Sequence, residues 1–441
     1  MIKRNFHVAD LGVPKHPNPV DMAPSRFVGK DKKIAHNPYL YQTAADGEWQ
    51  LPDFTGFEPA GPREHIYFNP QATKVAIVSC GGLCPGINGV IRALVMQLWY
   101  RYGVKNIVGA RFGYQGLSET QSQSLLELHP DTLDHIHETG GSFLGSSRGS
   151  PPTEEILETL ITNNIQILFT IGGDGTMRGA HAIHDAAKKR DYPLAVVGVP
   201  KTIDNDIAYV RQSFGFETAV SIAYQALQSA HNEAKGYKNG IGLVKLMGRH
   251  SGYIAATASL AAGHVNFCLV PEVPFYLEGD TGLLNLLEKR LDEREHALVV
   301  VAEGAGQHYF SSMKAEHDAS GNIKLGNIGH YLKERFSQHF SGTEKQVTIK
   351  YIDPSYLIRS APANPADQLF CTKLAQNAVH AAMAGKTGLM IGYWHGSMTH
   401  VPLSAVNDYR QSINPGGHLW FNILETTGQA IHIGNPKDFN T

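Results

Sequence analysis

The 441-residue chain is 42% hydrophobic and carries 38 basic against 40 acidic side chains, a formal net charge of -2. At roughly 150 residues per domain, this length predicts two or three domains with sizeable cores. The near balance of charge excludes nucleic acid or an acidic membrane as the main partner and leaves room only for local basic pockets.

Four cysteines, Cys80, Cys84, Cys268 and Cys371, are too few and too scattered for a disulfide framework, and the first two lack a second pair at zinc spacing. Free thiols in a reducing cytoplasm are expected. No signal-peptide core follows Met1 and no apolar run reaches membrane-spanning length, so a cytoplasmic chain with no membrane partner is expected.

Residues 1–72, rich in Pro, Asn, His and aromatics, show little helical or strand period and read as an N-terminal extension. From Lys74 the pattern sharpens. Strands are predicted at 74–79, 106–110, 165–171 and 194–199, with helices at 89–102, 153–163 and 176–190. A second alternating series runs from a long helix at 217–235 through strands at 241–246, 266–270, 297–302 and 346–350. Helices at 251–262, 329–339 and 366–385 and a strand at 388–393 complete it. Alternation of this kind means parallel sheets with helices on both faces. The expected fold is α/β, with two doubly wound Rossmann-like lobes and the active site in the cleft between them, at strand C-termini. The boundaries are 73–215 for a nucleotide-binding lobe, 216–400 for a sugar-phosphate-binding lobe and 401–441 for a C-terminal tail. A crossing of the chain back between lobes is left open.

Four loops sit at predicted strand ends. Gly81-Gly82-Leu83-Cys84-Pro85-Gly86-Ile87-Asn88 lets backbone N–H groups approach phosphate, although it matches neither the P-loop nor the Rossmann spacing. Gly172-Gly173-Asp174-Gly175-Thr176 suits a phosphate cradle with an acid beside Mg²⁺. Pro200-Lys201-Thr202-Ile203-Asp204-Asn205-Asp206 sets two carboxylates two residues apart, which repel unless a cation, a proton or a hydroxyl lies between them. Met247-Gly248-Arg249-His250-Ser251-Gly252 offers an arginine that can meet charge developing on a transferred phosphoryl group. Glu303 ends a strand of valine and alanine, and Lys350, Tyr356 and Arg359 make a compact anion-binding set. Singly, most of these stretches are equally a turn or a surface ion pair, whereas the two glycines before Asp174 at the strand end favour the phosphate cradle. Together they describe phosphoryl transfer to a phosphorylated polyol.

The ordered set GGLCPGIN, GGDGT, PKTIDND, MGRHSG and KYIDPSYLIRS resembles the 6-phosphofructokinase family over roughly 74–393. That resemblance implies Mg²⁺-dependent transfer of a phosphoryl group from ATP to the 1-hydroxyl of fructose 6-phosphate, in a cytoplasmic, allosteric homotetramer of glycolysis. It implies Asp204 as general base, within a catalytic set of Thr202, Asp204, Arg249 and Lys201. Nucleotide contacts fall on Gly81, Gly82, Arg148, Gly149, Gly173, Asp174, Gly175 and Thr176, with Tyr114 as the aromatic covering the nucleotide. Asp174 holds the metal, which Asp206 reaches through water. Sugar and 6-phosphate contacts fall on Thr202, Ile203, Asp204, Met247, Gly248, Arg249, Glu303, Lys350, Tyr356, Leu357, Ile358 and Arg359.

The departures from the family pattern are informative. Lys201 is typical of the pyrophosphate-dependent branch, whereas that branch carries Asp where this chain has Gly175. An Asp there would block the α-phosphate of ATP, so Gly175 decides for ATP, with pyrophosphate as the alternative donor. Gly240 stands where the bacterial type brings an arginine from a neighbouring subunit, with Lys245 or Lys238 as substitutes, and Lys350 takes the place of a second such arginine. The effector-site pair is halved to Arg92 and Met96, which argues against bacterial ADP or phosphoenolpyruvate regulation. A catalytically idle sugar-phosphate-binding subunit is the alternative of another class.

Overall fold

The apolar runs at 74–79, 167–172 and 195–200 form adjacent parallel strands, with Ile167 facing Val75 on one side and Ala195 on the other. Buried on both faces, such strands read as continuous rather than alternating hydrophobic runs. In the computed structural model the described residues are 6–29, 31–39, 41–42, 49–50, 55–118, 125–147, 149–312, 316, 323–406 and 410–435. The chain divides into two units, of which the first comprises 1–203, 207–215 and 360–410 and the second 204–206, 216–359 and 411–441.

In the first unit, a nine-stranded sheet runs in the order 125–127, 106–110, 74–79, 167–172, 195–200, 389–394, 397–402, 56–59 and 34–35. Strand alternation sends Val75 and Ile77 to one face, against Leu94, Leu374 and Ala378 of the helices Ile87–Met96 and Pro365–Met383. Ala76 and Val78 point to the other, against Ile156, Leu160 and Ile183 of the helices Thr153–Thr162 and Asp174–Lys189. The helix Pro365–Met383 starts where Asn364 accepts the Asp367 amide at 2.9 Å, with proline in the first turn.

Two expectations need correction here. Alternation places the helix at 366–385 and the strand at 388–393 in the second lobe, with a crossing back left open. Val197 instead pairs with Leu389, so this strand lies beside Ala195–Pro200 in the first sheet. A short buried apolar run fits any parallel slot, and element order does not say which sheet receives it. Part of 1–72, expected as an extension, also enters this sheet. Gly56–Pro59 pairs antiparallel with Ser397–Pro402, and Phe57 is fully buried against Phe6, Tyr209 and Trp394. Beside it, Glu58 meets Arg63 and Lys386 at 3.0 Å each. Burial would raise the Glu58 carboxyl, but His400 and Lys386 hold it down to about 2.

In the second unit, four parallel strands run in the order Phe267–Leu269, His296–Ala302, Gly240–Leu246 and Thr348–Ile352. The long helix Phe216–Lys235 buries Val220, Ala223, Leu227 and Ala230, at the three- and four-residue spacing of one helical face. A helix absent from the sequence reading, Leu283–Arg294, buries Leu283, Leu284, Leu287 and Leu291. Gly240 is buried, and a Cβ there would sit 2.0 Å from the Ala234 carbonyl oxygen, so no arginine fits at this position.

Candidate active site

Three neighbouring strand ends of the first unit carry three of the predicted loops. Gly81 follows the strand Lys74–Ser79, Asp174 the strand Ile167–Gly172, and Lys201 the strand Ala195–Pro200. Backbone bonds lace the loops together. The Gly81 amide donates to Ser147 at 3.2 Å, Ser146 Oγ to Gly81 at 2.5 Å, and the Lys201 amide to Gly172 at 2.8 Å. The Lys201 ammonium, 5% exposed, donates to the Gly82 carbonyl at 2.5 Å, bracing that turn from below. Ser213 Oγ donates to the Thr202 carbonyl at 2.5 Å, which fixes the start of the acidic loop.

Three glycines in this region have space around them. A Cβ at Gly82 or Gly149 would meet nothing within 4 Å, and one at Gly175 only the Arg178 guanidinium at 3.9 Å. Gly172 differs, because Thr176 Oγ1 would lie 2.1 Å from its Cβ. Gly175 lies in the first turn of the helix Asp174–Lys189, whose first amides lack helical partners and carry partial positive charge. That combination can accommodate an anion.

Asp174 heads this helix, and its carboxylate lies 2.5 Å from Arg410 Nε. Sequence reading missed Arg410, since nothing in its flanking residues marks it. Asp174 therefore stands as a partly buried oxygen donor already holding a cationic group. Among the described residues no group of three His, Cys, Asp or Glu side chains could hold a metal ion. A hard cation here would draw its remaining ligands from water and phosphate oxygens, as Mg²⁺ commonly does.

In the second unit, the strand Gly240–Leu246 ends in Met247-Gly248-Arg249. The Glu303 amide donates to Leu246 at 2.9 Å and the Gly304 amide to Gly248 at 3.0 Å, so the two strand ends are stitched together. Gly248 has φ of 129°, and a Cβ there would lie 2.4 Å from the Ser251 carbonyl oxygen. A Cβ at Gly304 would lie 2.0 Å from the Arg249 carbonyl oxygen. Glycine is required at both positions by close backbone approach. Ser251 Oγ donates to the Asp204 carbonyl at 2.8 Å, bringing the acidic loop onto this corner.

Asp204 is thereby crowded. Burial, then the charges of Asp206 and Glu303, push its carboxyl from the ordinary 3.8 up to about 7, against the opposing Arg249 amide and Arg359 charge. Among the described residues Glu303 makes no ion pair, and Arg249 Nε is buried without a hydrogen bond. Arg249 Nη2 donates to the Ile323 carbonyl. The C-terminal segment holds the loop from the other side. The Gln411 amide donates to Asp206 at 2.9 Å, its side chain to Asn205 at 3.3 Å, and the Ile413 amide to Glu272 at 2.9 Å.

Several expected contacts are placed elsewhere. Tyr114 is 3% exposed and its hydroxyl donates to the Thr176 carbonyl at 2.8 Å, so it supports the helix start and presents no ring face. Phe112, two residues earlier, is 45% exposed. Met247 and Ile358 are buried, the latter fully, so Ile358 anchors the short helix Ser355–Ser360 to the core. Tyr356 and Leu357 on the same helix are exposed, and Asp353 caps it by accepting from Ser355 Oγ at 2.6 Å. Lys350 is not brought into the anion set. It pairs opposite Gly242, with its ammonium 3.2 Å from Glu233 and 4.4 Å from the Tyr237 ring centre. Lys245 cannot replace the missing arginine, because Asp353 neutralises it at 2.7 Å. Arg92 is likewise engaged by Asp134 at 3.2 Å. Arg148 lies outside the described residues.

Among the described residues no helix is long and apolar enough to cross a membrane. A family model described as Phosphofructokinase matches residues 74–382. An ATP-dependent 6-phosphofructokinase of Borreliella burgdorferi is 47% identical over 442 residues, covering 98% of each chain. One of Amycolatopsis methanolica is 47% identical over 86% of this chain and 83% of its own. Among solved structures, a pyrophosphate-dependent phosphofructokinase from Marinobacter aquaeolei matches with a TM-score of 0.67 at 21% identity, over 80% of this chain and 91% of that one. The last likeness bears on the fold only. The matched span contains the glycine turns, the acidic loop and the stitched strand ends just described, and the chain belongs to the phosphofructokinase family.

Proposed function

We propose that this chain transfers the terminal phosphoryl group of ATP to the 1-hydroxyl of fructose 6-phosphate, giving fructose 1,6-bisphosphate and ADP. The observation that carries the donor is the space at Gly175, where a Cβ would touch only Arg178 at 3.9 Å. No packing need keeps this residue small, so its missing side chain serves the approach of a phosphate chain to the helix amides. The ATP-dependent names of the two bacterial relatives support the same donor.

The first unit would bind nucleotide through the backbone of Gly81, Gly82, Gly149 and 173–176. Asp174 would hold Mg²⁺, a role its engagement of a cationic group supports. When bound, that ion neutralises phosphate charge and aligns the transferred group. In the second unit, Glu303 and the exposed face of Ser355–Ser360, with Tyr356 and Arg359, would hold the sugar phosphate. Asp204 would orient the 1-hydroxyl and accept its proton late in the transfer. A carboxyl poised near 7 suits a base at neutral pH better than one at 3.8. Arg249 would meet the charge on the phosphoryl oxygens in the transition state. Lys201 would act indirectly, by holding the Gly82 carbonyl. A homotetramer in the cytoplasm belongs to the same reading.

Turnover of fructose 6-phosphate by the purified chain, measured with Mg²⁺ and either ATP or pyrophosphate, tests the proposal. ATP is expected to support turnover at least ~100-fold better, the size of a lost binding subsite. Turnover with pyrophosphate only would overturn the donor, and none with either would favour an idle binding subunit.

A further inference from the structure

Asp174 is already engaged by a cation that belongs to the chain. Arg410 Nε lies 2.5 Å from Asp174 Oδ2, with the carboxylate 16% and the arginine 40% exposed. This is a charge-assisted hydrogen bond to one of the two oxygens a metal would use. The arginine is not a long side chain reaching from a distant surface. Its backbone bridges antiparallel to Ile207, directly after the acidic loop, and the next residue, Gln411, donates to the Asp206 carbonyl at 2.9 Å. The main chain therefore delivers Arg410 to this place.

A guanidinium cannot share that oxygen with a divalent ion. It has no acceptor and does not lose its proton, so it can neither ligate the metal nor become neutral. Two cations within hydrogen-bond distance of one carboxylate oxygen would repel strongly in a partly buried site. Binding of Mg²⁺ through Oδ2 must therefore break the Arg410 contact, whereas a metal on the other oxygen alone would leave it in place.

We propose that Arg410 is a positioning residue that holds Asp174 in the metal-free enzyme and competes with the metal–nucleotide complex for it. This rests on the reading of Asp174 as the metal-holding residue. Arg410 keeps the carboxylate oriented and neutralised while the site is empty, and lowers the apparent affinity for the metal by the fraction of molecules in which the pair is closed. Removing the guanidinium is expected to strengthen metal binding.

The test is titration of the preformed complex of Mn²⁺ with a non-hydrolysable ATP analogue into the chain, followed by isothermal calorimetry. The full-length chain is compared with R410Q, R410K and D174N, each checked for folding by thermal denaturation. R410Q is expected to bind this complex about three- to tenfold more tightly, the range an ion pair open to solvent yields when a competitor must break it. R410K keeps a charge without the planar fork and is expected to fall between R410Q and the parent, which also covers the case of an R410Q that does not fold. D174N is expected to lose binding. Lost binding in D174N with unchanged or weaker binding in both arginine variants overturns the proposal and leaves the metal reading standing. Unchanged binding in D174N overturns both.

Discussion

Two sets of glycines, one in each unit, do opposite jobs. In the first unit, Gly82, Gly149 and Gly175 have no neighbour closer than 3.9 Å to a Cβ, so the protein leaves that space to something else. In the second, Gly248 and Gly304 are small because carbonyl oxygens would lie 2.4 and 2.0 Å from a Cβ there. One set keeps backbone accessible, while the other closes two strand ends so tightly that Asp204, Glu303 and Arg249 are forced into one corner. Glycine content says little until the surroundings of each glycine are known. On the proposed reading the open set is where a ligand would meet main chain, and the closed set marks where the fold concentrates charge.

The largest effect should come from the closed corner. Asp204→Asn keeps size and polarity but removes the proposed base, and kcat is expected to fall about 10²–10⁴-fold with KM for fructose 6-phosphate changed little. Steady-state kinetics with saturating nucleotide check this, and a kcat within a factor of a few of the parent would remove Asp204 from the proton transfer. Filling the open set should act on binding instead. Gly175→Asp puts a negative side chain where the structure leaves room, so kcat/KM for ATP is expected to drop about 100-fold, through unfavourable charge beside phosphate. Its melting temperature should stay close to that of the parent.

Gly248→Ala reverses that pattern. The added methyl meets the Ser251 carbonyl at a backbone φ of 129°, and a destabilisation of about 2–4 kcal/mol is expected from strain and overpacking. Urea unfolding at unchanged m would measure it. If Gly248→Ala were as stable as the parent and Gly175→Asp were not, the division between open and closed glycines would be wrong.

Much of this arrangement can be read in the sequence, and the unread part shares one physical cause. The motif loops stand out because glycines and acids directly after apolar runs mark strand ends, and the strands at 74–79 and 240–246 stay close to their expected bounds. Pairing is less legible. Leu389–Trp394 has the composition of any buried parallel strand, and only its register with Val197 shows which sheet it joins. The helix Leu283–Arg294 was overlooked because its second half, Glu288-Lys289-Arg290-Leu291-Asp292-Glu293-Arg294, is mostly charged and its leucines cluster at the start. Side-chain destination is hidden most deeply. Lys350 is near Tyr356 and Arg359 in sequence, yet its strand position sends it to Glu233, while Arg410 arrives at Asp174 from 236 positions away. Proximity along the chain says nothing about long side chains that choose partners after the fold has formed.

The smallest expected effect concerns the stability of the same carboxyl whose removal should cost most activity. Asp204 has its pKa raised from 3.8 to about 7, chiefly by burial and then by Asp206 and Glu303. A raised acid stabilises the folded state only while it stays protonated. Below about pH 4 both folded and unfolded chains hold this proton, and Asp204 makes no difference. Between about pH 4 and 7 the unfolded chain releases it and the folded chain does not, so unfolding becomes progressively easier. Above pH 7 the penalty is complete. Because Asp204 is partly exposed, solvent screening reduces it, and a loss of about 1–2 kcal/mol is expected. Asparagine cannot ionise, so Asp204→Asn should match the parent at pH 4 and exceed it by that amount at pH 8, in paired urea titrations. An equal difference at both pH values would mean that packing, not ionisation, distinguishes the two side chains. A pH-dependent gain in a variant that has lost turnover would instead show the closed corner holding a charge for chemistry at the expense of stability.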